Sequence, residues 1–358
     1  FILRAALIAL AAFAFSLHKS LDFGRSVYNH QPGVCKAVHG IVNGSEDIEL
    51  IQSKGIAFIS SGVVDRSIIE GKMFLYDFNQ KVESGRLEAT ELPIIGDSFD
   101  KANFHPHGLS LWIVNGVIRL YVISHTKDFK HSIMVFDYDS SKKALIHKKT
   151  ITDNLFIRPN GIVAVGPDQF MITNDGTAQS DLGSVLEAVV GYRGGSVVFW
   201  DGKESHKLIT GMYGSNGIAF DIKTNTLFVT ELHEKNVAAY QLSKDKKTAS
   251  LISSVSLYSA CDNLFLASDG SLYTGCHPLL HETAVALPDC LGKSTSASQI
   301  LRIKYDDGYK TAAVTEPYSN DGKEASASSV AVVYNNQMLI GTVCRILLHC
   351  EIADPSIL

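Results

Sequence analysis

With 358 residues the chain can bury a large core, and by length alone it could form two domains. A net charge of −5, with Lys and Arg scattered along the chain, offers no basic surface for nucleic acid. No G-x-x-x-x-G-K-[ST], G-x-G-x-x-G or G-x-S-x-G occurs, which argues against nucleotide-dependent and serine-hydrolase chemistry.

Near the start of the chain, Arg4 precedes an apolar run, AALIALAAFAFSL (5–17). The run is shorter than the roughly 20 residues of a bilayer span and suits the h-region of a secretory signal. An apolar, helical signal or anchor segment with its linker (1–34) is therefore expected ahead of a single domain (35–358). It makes the protein secreted or membrane-associated, with this segment as its route to a lipid surface; an ordinary buried helix is the competing reading. The six cysteines contain no C-x-x-C, so a zinc knuckle is not expected, and a secretory leader implies at least one disulfide.

Next come the adjacent acids Glu46 and Asp47, ahead of an apolar stretch. Neighbours on an extended chain point to opposite sides, so the pair can serve two different sites; the alternative is a solvated turn. Asn43-Gly-Ser is a glycosylation sequon whose closeness to Glu46 limits its use.

From here strands dominate. A short strand, a turn and two more strands recur at 55–78, 107–139, 160–202, 216–242, 262–305 and 328–352, roughly 50 residues apart. VNGV, GPDQ, KTNT, SDGS and YNNQ supply the Gly, Asn or Asp that tight hairpins require. The period predicts an all-β, six-bladed β-propeller; a pair of sandwiches does not explain it. The innermost strands of a propeller start around a central tunnel. Glu46 precedes the first, while Asn160, Asn216 and Asp262–Asn263 open the third, fourth and fifth. Each Asn-Gly alone reads as a turn, but the shared position offers only hard oxygen ligands, which suit calcium better than zinc or copper. His105 and His107, in HPHG, share a strand face and read either as a zinc pair or as histidines satisfied by the fold.

The segments GSEDIE (44–49), GIAFISSG (55–62), FHPHGLS (104–110), IVAVGP (162–167), NGI (216–218), DN (262–263), GCHP (275–278) and LIGTV (339–343) resemble the paraoxonases. These are calcium-dependent lactonases and arylesterases with a six-bladed propeller fold. The likeness runs in order from about Cys35 to Ile352 and includes the apolar leader. It implies that Glu46, Asn160, Asn216, Asp262 and Asn263 hold a catalytic calcium, and that Asp47 with the backbone carbonyl of Leu109 holds a second, structural one. It further implies His107 as general base with His125 behind it, His277 in the active-site wall, Cys276 as a free cysteine and a Cys35–Cys350 disulfide. Hydrolysis of lactones and aryl esters, with organophosphate esters as further substrates, is the expected activity; a membrane-tethered chaperone or binding protein is the alternative. Three features depart from the family: His105 stands where Asn is usual, Gly161 where a second structural-calcium carboxylate is usual, and the segment 63–71 is several residues short.

Overall fold

Short strands with one apolar face on each side cannot bury both faces in a single pair, and here they do so by stacking sheets around an axis. The computed structural model describes residues 2–81 and 85–357. In it, blade 1 comprises Ile48–Ile51, Ile56–Ser61, Lys72–Asp77 and Thr90–Glu91; blade 2 comprises Pro106–Val114, Val117–His125, His131–Asp139 and Ala144–Ile151, with Ile94–Ile95 added at its edge. Blade 3 runs from Pro159–Gly166 through Gln169–Asn174 and Gly195–Trp200 to Ser205–Met212, and blade 4 from Ser215–Asp221 through Thr226–Glu231 and Asn236–Leu242 to Ala249–Ser256. Blade 5 contains Ala260–Leu266, Leu272–His277, Ser298–Asp306 and Thr311–Asn320. Blade 6 contains Ser328–Tyr334, Gln337–Thr342 and Leu347–Glu351, and its fourth strand is the early segment Cys35–Val38.

This six-bladed propeller is therefore closed by its own termini. Cys35 lies opposite Cys350 and is disulfide-bonded to it across 315 residues. Chain entropy puts the stabilisation from so long a loop at about 6 kcal/mol at most. The other cysteines are also paired, which corrects the expectation for Cys276: the hairpin register of blade 5 sets it directly opposite Cys261, both are buried, and they form a disulfide. Cys290 is bonded to Cys344.

Alternate residues of a strand feed two different interblade layers, which is why the strands read as nearly continuous apolar runs. In Thr226–Glu231, Leu227 and Val229 pack with Met171 and Phe199 of blade 3, while Phe228 packs with Leu272 and Ile303 of blade 5. The expected hairpin residues occupy left-handed backbone: Asn115 (φ 49), Gly116 (φ 82), Asp168 (φ 56), Asn225 (φ 57), Gly270 (φ 82) and Asn335 (φ 52). One expected boundary changes. The repeat read from residue 55 starts at the second strand of blade 1, and its inner strand is the stretch that follows Glu46 and Asp47, Ile48–Ile51.

Helices α1 (Ile2–Ser20), α2 (Asp181–Val190) and α3 (Leu280–Ala286) follow or cap the ends of the blades where the inner strands begin. The chain after α1 is tied to this rim: Phe23 stacks on His281 at 4.3 Å, and Asp22 pairs with Lys235 at 2.7 Å. No helix among the described residues is long and apolar enough to cross a membrane.

Candidate active site and metal centre

At the start of the inner strands of blades 2 to 6 the ladder slips, between Pro106 and Leu109, Pro159 and Ile162, Ser215 and Ile218, Cys261 and Leu264, and Ser328 and Val330. Such bulges release residues from pairing and re-aim them. The released residues include His107, Asn160, Asn216, Asp262 with Asn263, and Ser329; Glu46 precedes the inner strand of blade 1. The glycine after a site residue has a steric cause here. A Cβ on Gly108 would lie 2.4 Å from the Asn160 carbonyl oxygen, one on Gly161 2.6 Å from that of Asn216, and one on Gly217 2.3 Å from that of Asp262. The Asn-Gly pairs are thus places where one blade touches the next, not turns. Hydroxyls fasten the contact: Thr173 donates to the Asn216 carbonyl at 2.5 Å, Thr230 to that of Asp262 at 2.8 Å and Ser329 to that of Glu46 at 2.6 Å.

The result is a cluster of buried oxygens with nothing to bind. Glu46, Asn160, Asn216 and Asp262 are exposed by 1%, 7%, 5% and 5%, and Glu46 Oε2, Asn160 Oδ1, Asn216 Oδ1 and Asp262 Oδ1 all lack a hydrogen-bond partner. One such orphan costs about 1–3 kcal/mol, and here four come from four blades, all of them carboxylate or amide oxygens able to accept from a ligand. Asn263, the fifth expected ligand, donates from Nδ2 to the Glu46 carbonyl at 3.0 Å and to Oε1 at 2.8 Å, joining blade 5 to blade 1.

Imidazoles line the other side. His107 Nε2 lies 3.4 Å from Glu46 Oε1, and its Nδ1 meets His125 Nε2 at 2.9 Å. His277 Nε2 lies 3.3 Å from Asp262 Oδ2, so the expected wall residue touches an expected ligand. Burial lowers the pKa of His107, but the Glu46 carboxylate, helped by Asp262 and Asp175, outweighs it and holds the group above its ordinary value. Burial, reinforced by Glu46, raises the pKa of Asp262. His105 does not join: its Nδ1 meets the His125 carbonyl at 3.1 Å and burial keeps it neutral, the reading of a histidine satisfied by the fold.

Glu46 and Asp47 do diverge. Asp47 lines a chamber of about 220 Å³ further down the tunnel, with Glu49, Leu109, Trp112 and Gly161. Its Oδ1 accepts from the Ile48 amide and its Oδ2 from the Leu109 amide, each at 2.8 Å. Burial, then the charge of Glu46, pushes the pKa of Asp47 up to about 8; burial, then Asp47, pushes Glu49 up to about 8. Asn43, in the sequon, is half-buried, and its carbonyl accepts from the Gly62 amide at 3.2 Å.

Sequence reasoning missed Ser329, Glu49 and His131. Ser329 was readable, because it occupies the same blade position as Asn160. Glu49 was readable by period two from Asp47. Asp201, Glu204 and His206 form a separate acidic group on the outer hairpin of blade 3, where Asp201 accepts from His206 at 2.9 Å and pairs with Lys247 at 3.4 Å.

Comparison with known proteins identifies the family of the chain as a whole. The sequence model of the family described as "Arylesterase" matches residues 26–352. "Serum paraoxonase/arylesterase 2" of Gallus gallus is 32% identical over 366 residues, covering 98% of this chain and 99% of that protein. "Serum paraoxonase/lactonase 3" of Homo sapiens is 30% identical over 345 residues, covering 94% of each. Among solved structures, a gluconolactonase from Xanthomonas campestris superposes with a TM-score of 0.53 at 12% identity, over 92% of this chain and 99% of that one, a likeness of fold alone. The chain belongs to the arylesterase, or paraoxonase, family.

Proposed function

We propose that the protein is a calcium-dependent hydrolase of lactones and aryl esters, secreted or bound at a lipid surface. Membership of a family of esterases and lactonases supports the hydrolase class. The observation that carries the calcium reading is the set of four orphaned oxygens beside His107. Carboxylate and amide oxygens are the donors a hard divalent cation prefers, so the residues fit, with Glu46, Asn160, Asn216, Asp262 and Asn263 as the holders. Held by these residues, a calcium ion would supply a Lewis acid for the substrate carbonyl and for the charge that develops on its oxygen.

The remaining work falls to the side chains. His107 Nδ1 is committed to His125, which leaves Nε2 to take a proton from the attacking water. The Glu46 carboxylate at 3.4 Å stabilises the resulting imidazolium. The same Nε2–H then protonates the departing alkoxide or phenolate as the carbon–oxygen bond breaks. His277 is held by Asp262 as part of the wall.

A second ion in the lower chamber is weaker by the same test. There Gly161 contributes no carboxylate, both Asp47 oxygens already accept backbone amides, and no orphaned oxygen occurs among the described residues. For the lipid surface, Phe13 and Phe15 of α1 are exposed, and Leu182, Val185, Leu186 and Val190 form an exposed stripe on α2 at the same end of the propeller. The three disulfides suit the secretory pathway.

Hydrolysis of an aliphatic lactone and of phenyl acetate, assayed in calcium and in excess chelator, tests the reading. Turnover that requires calcium is expected. Full turnover in chelator removes the calcium role; none under either condition favours the binding-protein alternative.

A further inference from the structure

The imidazole chain does not end at the pair expected from the sequence. His125 closes the second strand of blade 2 and His131 opens the third, and the register sets them directly opposite. Their Nδ1 atoms are 2.7 Å apart, with ring planes at 88°. The six-residue step between them is fixed locally. Thr126 exchanges backbone and hydroxyl hydrogen bonds with Lys130 at 2.8 and 3.0 Å, and Phe129 sits in left-handed backbone (φ 60) with its ring edge-on to His131 at 4.9 Å. Arg66, from the short segment 63–71, covers the Phe129 ring at 5.1 Å.

Counting protons gives this chain a direction. A contact between two imidazole nitrogens holds one proton, since neither two lone pairs nor two N–H groups can face each other favourably. Three neutral rings carry three N–H protons, and the contacts His107–His125 and His125–His131 hold two. The third must sit at an end, on His107 Nε2 or on His131 Nε2. If it sits on His107, that nitrogen cannot accept a proton from water. If it sits on His131, both inner protons point away from the site, from His107 Nδ1 to His125 Nε2 and from His125 Nδ1 to His131 Nδ1.

We propose that His131 is a positioning residue: its Nδ1 accepts the His125 Nδ1–H, fixes the His125 tautomer, and so presents His107 Nε2 as a lone pair toward the oxygen cluster. The catalytic part of this rests on the hydrolase reading above. The logic is that of a third group orienting a catalytic base through hydrogen bonds. The third proton then lies on His131 Nε2, the outer end of the chain, which is buried and makes no hydrogen bond among the described residues. Burial, then the Arg66 charge, depresses His131 to about 4, and burial, then the charge of His107, depresses His125. Both outer rings therefore stay neutral, and the proton count describes the state in which His107 is also neutral and ready to act as base.

The test compares His131→Leu, which removes the acceptor, with His131→Asn, whose Oδ1 can replace Nδ1. Both are checked by thermal unfolding, and calcium and substrate are kept as in the wild-type assay. H131L is expected to lower kcat about 10- to 100-fold with little change in KM. H131N is expected to recover at least half of that loss on a logarithmic scale. Nitrogen-15 spectra of the imidazoles supply a readout that packing alone would not move: Nδ1–H on His125 in the wild type and in H131N, lost in H131L. Equal losses of kcat in the two variants with an unchanged His125 tautomer overturn the proposal, as does Nε2–H on His125 in the wild type. Should the wild type hydrolyse neither substrate, the hydrolase reading is lost and the ring nitrogens still decide the hydrogen-bond chain.

Discussion

The two ends of the tunnel are built from adjacent residues and behave differently. At the upper end, Glu46 meets His107 of blade 2, Asn263 of blade 5 and Ser329 of blade 6, and its Oε2 is one of four buried oxygens without partners. In the lower chamber, Asp47 and Glu49 come from one strand, and Asp47 is already satisfied by the Ile48 and Leu109 amides. Buried oxygens without partners are costly for the fold, and it is the gathering of four of them from four blades that supports the cation reading at this end. Acids on one strand need no such explanation, because local amides can satisfy them. An orphaned oxygen is therefore a sharper mark of a cation site than a buried acid.

The largest effect should come from breaking the upper end. Asp262→Ala removes one of two carboxylates there and leaves His277 Nε2 without its partner. Lactone and aryl-ester turnover should fall about 10³-fold or more, and calorimetric calcium affinity should fall with it. A D262A protein that keeps wild-type turnover would show that the upper oxygens are not where the chemistry occurs.

The next effect separates the ends by pH. The lining of the lower chamber contains no histidine, whereas His131, at the upper end, is depressed from 6.5 to about 4. The unfolded chain binds this proton first as pH falls. The stabilisation from the neutral ring is therefore complete above about pH 6.5 and is lost progressively toward pH 4. At about 1.4 kcal/mol per unit the ceiling is about 3 kcal/mol, reduced by partial exposure. Thermal unfolding between pH 7 and pH 4 should decline less steeply in H131L than in the wild type, and parallel curves would remove His131 from the acid limb.

How far the sequence carried each end follows from what repeats. Asn160 and Asn216 were legible because each opens an inner strand at the same place in successive blades, and Glu46 because it precedes another. The reason for their glycines was not, since it lies in the carbonyl of a neighbouring blade rather than in the local chain. The pairing of Cys276 with Cys261 depends on hairpin register, which the sequence does not display, and the same holds for His131: six residues from His125 gives no sign that the two rings meet. Likeness to a family pointed away from the Cys276 pairing, because it implies a free cysteine there, and carried no sign of His131.

A smaller effect concerns affinity. Calorimetric titration of calcium into the chelator-treated protein should resolve a tight upper site, with any lower site at least about tenfold weaker, equivalent to about 1.4 kcal/mol. Two sites of equal, high affinity would mean that Asp47, Glu49 and backbone oxygens do as much as the four-blade cluster, and the contrast between the ends would fail.

The smallest and most informative change is Gly161→Asp, which offers the lower chamber the carboxylate that the family resemblance leads one to expect there. The structure gives it a cost. The new Cβ would lie 2.6 Å from the Asn216 carbonyl oxygen, 3.2 Å from Thr173 Oγ1 and 3.3 Å from Ile218 Cγ2, so blade 3 must move away from blade 4 where Thr173 holds them together. In chelator, G161D should be less stable than the wild type by about 1–3 kcal/mol, the usual range for overpacking. In excess calcium the added charge should strengthen binding, and binding to the folded state alone stabilises it. The deficit should then narrow by about 1 kcal/mol, read as a smaller difference in Tm from the wild type. A deficit that calcium leaves untouched would mean that the lower chamber does not bind the ion, and that Gly161 is set by the approach of blades 3 and 4 alone.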